Sequence, residues 1–171
     1  MEFDSCDRIT VGAIGDPGNR TFILQLRQAD RLVSLVLEKS HVADLGSGGY
    51  QLLTEAGYPK LVHLVAATVR AGGREGSSAL EADEPLWRIS EMELSYDGLL
   101  SIVTLRCIEF SEEDPADITI VLTAAQLADL VIEAFSVVSK GRAICPICNL
   151  PMDLGGHDCP GANGHHVRVR A

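Results

Sequence analysis

No stretch of this 171-residue chain approaches the ~20 consecutive apolar residues of a membrane-spanning helix. The opening Met1-Glu2-Phe3-Asp4 lacks the basic and apolar regions of a secretory signal, so the expectation is a cytoplasmic protein with no membrane attachment. The common catalytic signatures are missing as well: there is no G-x-S-x-G, no Walker loop and no H-E-x-x-H. Basic residues are scarce, and the formal net charge is −10. From Gly141 onward, three arginines (Arg142, Arg168, Arg170) stand against two aspartates (Asp153, Asp158), which leaves the tail at +1 and the body at −11. An acidic body repels phosphate backbones, so nucleic acid is disfavoured as a partner except at the tail. Cysteine is sparse too. Three of the five lie in the tail, and Cys6 and Cys107 stand alone, which does not suit a disulfide framework. Cys107, within Leu105-Arg106-Cys107-Ile108, is expected to be a buried, inert thiol.

What is present concentrates at the C-terminal end. Cys145-Pro146-Ile147-Cys148 is followed by His157-Asp158-Cys159-Pro160 and then by His165-His166, a C-x2-C-x8-H-x-C pattern. A Cys-x-x-Cys turn presents two thiolates together, and a second pair a short loop later completes the tetrahedron that Zn²⁺ prefers. Cys145, Cys148 and Cys159 are the expected ligands. The fourth is His157, which gives the tighter site with Gly155-Gly156 to turn the chain, or alternatively His165. Four protein ligands leave no open position for water, so the reading is a structural zinc knuckle; iron is a weaker fit to a site with histidine. A redox dithiol at Cys145-Cys148 would need a helix N-terminus behind it, and Pro151 and the glycines that follow argue against one.

The remaining 140 residues are enough for one core. Arg8 to Ile14 is apolar at alternate positions, Gly15 to Asn19 supplies turn residues, and Thr21 to Leu26 alternates again, which predicts a hairpin. A turn at Gln28-Ala29-Asp30 leads to a third strand, Leu32 to Leu37. Ser40 then caps a helix beginning at Val42, which the glycines at 46, 48 and 49 interrupt or end. Leu61 to Val69 after Pro59 is read as a helix, with a strand as the alternative. Residues 71–85, small, polar and acidic, suit a flexible linker. Beyond it the pattern restarts. Trp87 to Tyr96 and Leu99 to Ile108 flank a tight Asp97-Gly98 turn, Ile118 to Leu122 forms another strand, and Thr123 caps a helix burying Leu127, Leu130, Val131, Ala134, Phe135 and Val138. Gly141 ends that helix.

Aligning Val36 to Leu45 with Val121 to Leu130 gives five identities in ten positions, at the same place in each hairpin-strand-helix series. Internal duplication explains this; independent similarity of two strand-to-helix junctions is the alternative. The expected fold is α+β: two β-β-β-α pseudo-repeats (about 1–70 and 86–140, linker 71–85) forming a largely antiparallel sheet or sandwich with packed helices, with a zinc-binding tail at 141–171.

Other motifs have plainer explanations. Gly12-x-x-Gly15-x-x-Gly18 lacks nucleotide-binding spacing and precedes a strand, so it is read as a turn. His41 and His63 have no partners at ligand spacing and are read as structural. The carboxylates cluster in loops, where solvated acidic surface is the usual role.

Three parts of the chain together carry a family resemblance: the run from Val11 through Gly12, Gly15-Asp16-Pro17-Gly18-Asn19 to Phe22; Val36-Leu37-Glu38-Lys39; and the ending Gly141-Arg142, Cys145-Pro146-x-Cys148, Pro151-Met152-Asp153, Gly156-His157-x-Cys159-Pro160, Asn163-Gly164. They resemble an uncharacterised, mainly actinobacterial family, the domain-of-unknown-function 3090 family, over nearly the whole chain. The resemblance implies no established activity. That family's tendency to accompany kinase-like and phosphatase-like proteins implies a partner role in a phosphate-linked pathway. Two departures, an acidic middle shorter than the family's and Gly161 in place of a basic residue, leave the zinc ligands intact.

The functional expectation is a zinc-stabilised interaction or adaptor protein that docks a protein partner or a second copy of itself. A metal-dependent hydrolase would instead need His157 and His165 to exchange at the tail zinc and open it to water. A nucleic-acid-binding knuckle would need phosphate contacts from Arg168 and Arg170.

Overall fold

The computed structural model describes residues 1–16, 18–73, 80–140, 143–144, 147 and 151–152. Strand formation follows the period of two in the apolar residues. Along β6 (Ile102–Glu109) and β7 (Asp117–Leu122), Val103, Leu105, Cys107, Ile118, Ile120 and Leu122 are buried while their neighbours are not, the pattern of a sheet with one covered face. β5 (Trp87–Asp97) alternates in the same way, with a bulge at Ser90 between Ile89 and Glu91. The first hairpin departs from this pattern. In β2 (Arg8–Ile14) and β3 (Thr21–Gln28), Ile9 through Gly12 and Phe22 through Leu26 are buried at consecutive positions, because both faces of the sheet are covered there.

These strands, with β1 (Glu2–Phe3) and β4 (Arg31–Leu37), form one seven-stranded sheet in the order β1-β7-β6-β5-β4-β3-β2. The pairing is antiparallel except for β1 on β7 and β4 on β5. The architecture is therefore α+β with a largely antiparallel open sheet. Of the two arrangements expected, sheet or sandwich, the chain adopts the sheet: the halves join edge to edge, Leu35 opposite Trp87 and Val36 opposite Arg88, and do not bury one face on the other.

The Asp97-Gly98 turn is wider than predicted. Asp97 pairs with Ile102, so residues 98–101 form a four-residue loop. The Asp97 carboxylate accepts the backbone N–H groups of Leu99 and Leu100 at 2.8 and 3.1 Å, and Ser101 takes a left-handed φ of 56°. The aspartate side chain stabilises the longer loop directly.

Among the described residues, three helices line the core. α1 (Lys39–Glu55) begins at an N-cap of Glu38, not Ser40, and the N–H of Glu38 is accepted by His41 Nδ1 at 3.2 Å. α2 (Pro59–Arg70) has proline in its first turn, where a missing N–H costs nothing, and packs on α1 and α3. α3 (Ala124–Ser139) starts at a Thr123/Gln126 capping box, in which Thr123 Oγ1 accepts the Gln126 N–H at 3.2 Å and Gln126 Oε1 accepts the Thr123 N–H at 2.9 Å. Leu127, Leu130, Val131 and Ala134 are fully buried, while Phe135 and Val138 pack at the rim of the core.

The glycines do not end α1. It runs through all three to Glu55, with Gly46 and Gly49 buried against α3. A Cβ on Gly49 would lie 2.5 Å from Val131 Cγ2, and one on Gly46 would lie 3.3 Å from Phe135 Cε1. The helix accepts the conformational cost of glycine because two backbones come close there. Gly49→Ala should accordingly destabilise the protein by about 1–3 kcal/mol through overpacking. Gly48→Ala, whose Cβ would meet only Leu94 at 4.0 Å, should be neutral or stabilising by up to ~1 kcal/mol through helix propensity. Urea unfolding of both variants beside the parent tests the opposite signs.

Candidate functional site

α3 delivers the chain to its C-terminal segment. Past the C-cap at Lys140, β8 (Ala143–Ile144) pairs antiparallel with β9 (Pro151–Met152), Ala143 opposite Met152 and Ile144 opposite Pro151. The two rungs bracket residues 145–150, the stretch of sequence that carries Cys145 and Cys148. Each expected zinc ligand (Cys145, Cys148, His157, Cys159 and the alternative His165) lies outside the described residues, as does Gly141. Among the described residues, no three of His, Cys, Asp or Glu gather as a metal site would require.

The other singled-out residues have structural surroundings. His41 joins helix to sheet: its Nδ1 accepts from Glu38, which leaves Nε2 to donate to the carbonyl of Ser90 at the β5 bulge, 3.1 Å away. His63 is exposed on α2, at a cleft of about 660 Å³ also lined by Tyr50, Thr54, Pro59, Val62 and Arg70. Gly15 and Gly18 occupy left-handed φ of 98° and 99° in the turn after β2, while Gly12 lies within the strand. Cys6 and Cys107 are buried free thiols. Cys6 donates to the carbonyl of Arg8 at 2.9 Å, and desolvation raises its pKa. Burial pushes the Cys107 thiol up to about 12.

Two carboxylates do more than the solvated surface role expected of acidic residues here. Glu133 on α3, only 6% exposed, reaches the outer edge of the sheet, where Oε2 accepts Thr10 Oγ1–H at 2.7 Å and the Val11 N–H at 3.1 Å. Glu81, from the stretch read as linker, sits over β2 and β3. It is gripped by Arg27 through Nε at 3.1 Å and through Nη2, and by Arg8 Nη1 at 3.1 Å. The hydrogen bond from Arg27 holds its carboxyl below the usual range. A further carboxylate–arginine contact lies on the open part of the sheet, where Arg106 bridges Asp117 at 2.7 Å and Glu93 at 3.4 Å. No local signal in the sequence points to the Glu81 contact: Arg8 and Arg27 come opposite each other only through the hairpin register, and opposed like charges call for an anion between them.

Residues 1–159 match the model of a family described as a protein of unknown function, DUF3090. The chain belongs to this family. Neither the curated proteins nor the solved structures contain a match to it. The DUF3090 match takes in Cys145, Cys148, His157 and Cys159, closes on the last of these, and leaves His165 beyond its end. No described helix is long and apolar enough to cross a membrane.

The buried thiol offers a direct check of the core. With its pKa near 12, Cys107 is ionised at pH 8 in only about one molecule in ten thousand. Iodoacetamide should leave it unmodified in the native protein and alkylate it once guanidinium unfolds the chain. Peptide mass mapping reads this out, and equal labelling in both states would contradict the burial.

Proposed function

We propose that this DUF3090 protein is a zinc-stapled interaction protein, in which Cys145, Cys148, His157 and Cys159 hold one Zn²⁺ and the tail so ordered docks a protein partner or a second copy. The observation that carries this reading is the β8–β9 pairing, which brackets the Cys-x-x-Cys stretch as the arms of a zinc knuckle do. The composition of the tail supports it. Residues 141–171 contain five glycines, three prolines and no aromatic residue, too little apolar surface to offset the entropy of ordering. A closed structural zinc contributes roughly 10–16 kcal/mol of folding energy to a small site of this kind. The compact spacing, with Gly155-Gly156 to turn the chain, favours His157 over His165.

The same proposal includes an internal duplication of the body. β2-β3-β4-α1 and β5-β6-β7-α3 follow one order, and the parallel β4–β5 join gives equivalent strands the same direction. The five identities at the two strand-to-helix junctions support it.

Protein purified without added metal should contain about one zinc per chain. Cys148→Ala and His157→Ala should lose it, and His165→Ala should retain it, by elemental analysis. Full-length Cys148→Ala should also lose the partner captured from native cells, or the self-association seen by light scattering, that the parent shows. A metal-free parent with three freely titrating tail thiols would remove the zinc. A zinc-free variant that keeps every partner would remove the docking role.

A further inference from the structure

On the face of the sheet opposite the helices, the chain's own residues 80 and 81 occupy a built seat. Its parts all come from β2, β3 and β4. Gln25, 3% exposed, pairs with both backbone groups of Glu81: its Nε2 donates to the carbonyl at 3.0 Å, and its Oε1 accepts the N–H at 2.9 Å. Ser34 Oγ, equally buried, accepts from the same Nε2 at 3.0 Å and fixes which way the amide points. Beside it, Gly12 makes a seat for Leu80, since a Cβ there would come within 2.9 Å of Leu80 Cγ and Cδ1. On the other side, Arg8 and Arg27 present the cationic fork that closes on the Glu81 carboxylate.

Three kinds of contact thus converge on one dipeptide. The amide reads extended backbone as a neighbouring strand would, the missing side chain of Gly12 admits a branched apolar residue, and the arginines select an acid. Every receptor group stands on the sheet, so the surface exists whether or not residues 80–81 fill it. On its C-terminal side the occupant has few further contacts. Beyond Glu81, residues 82–86 are exposed, and the next anchor is the Leu86 N–H on the carbonyl of Ser34 at 2.8 Å. Glu81 itself keeps over a third of its side chain in solvent, where an ion pair is screened and easily exchanged.

We infer that the β2–β4 face is a docking site for an extended acidic peptide bearing a Leu-Glu pair, and that Leu80-Glu81 is an internal pseudo-ligand that a partner's segment displaces. This inference does not rest on the tail zinc.

The test empties the site and offers the ligand back. In Leu80→Gly/Glu81→Gly, a fluorescent peptide of residues 77–86 should bind saturably by anisotropy, and the parent should bind it at least ~10-fold more weakly because its site is filled. Adding Arg27→Ala to the emptied chain, or changing the first of the peptide's two glutamates (Glu81) to glutamine, should weaken binding by about tenfold or more. No binding to an emptied chain with native circular dichroism overturns the proposal, as does binding that ignores Arg27 or is equal in the parent. A mixed dimer of parent and emptied chain without peptide binding also overturns it, since the occupant would then be a second copy. Should the double variant unfold, Glu81→Gln keeps Leu80 on its seat and should still bind the peptide severalfold more tightly than the parent; equal affinity there counts against the site.

Discussion

The two halves of the sheet touch through a short parallel pairing at β4 and β5, and what makes that join hold is the way the helices cross it. α1 follows the first three-stranded unit yet packs on β5 of the second, while α3 follows the second unit and packs on β2 at the far side of the first. Each half therefore carries part of the other's core. The crossing places α1 and α3 against each other, and it is feasible only because Gly46 and Gly49 let the backbones approach. The size of the core, with buried side chains drawn from nearly every strand and all three helices, depends on this exchange.

Local chemistry made much of this legible. The existence of the β2–β3 hairpin, the Thr123 cap, the proline-led start of α2 and the buried face of α3 follow from residues a few positions apart, and they stand where the sequence puts them. The failures have two causes, one distant in sequence and one local. Gly46 and Gly49 look like helix breakers until Val131 and Phe135, more than eighty positions away, are brought beside them. The four-residue loop after Asp97 depends on a side chain accepting two backbone donors, which outweighs the preference of Asp-Gly for a two-residue turn.

The candidate sites divide in the same manner. The cysteine and histidine spacing of the tail is local, so the order of residues is enough to suggest a metal, while the ligands themselves lie outside the described residues. The Leu80-Glu81 contact is non-local. One glutamate among several acids in a polar stretch is unremarkable as sequence, and it acquires a role only when the hairpin register opposes Arg8 and Arg27 and leaves Gln25 facing the same way. An acidic chain that spends two of its 14 lysines and arginines on one carboxylate is using electrostatics for position, not for solubility.

Glu133 has a consequence in time. It covers the Val11 N–H on the outermost strand from a position 122 residues further along the chain. At the ~5–20 residues per second of translation, that edge waits roughly 6–24 s on the ribosome before its cover is made. During that interval β2 and β3 offer a nascent, apolar strand edge to any neighbouring polypeptide. The last helix of the body is thus also the element that ends the period in which the growing chain is most open to mispairing.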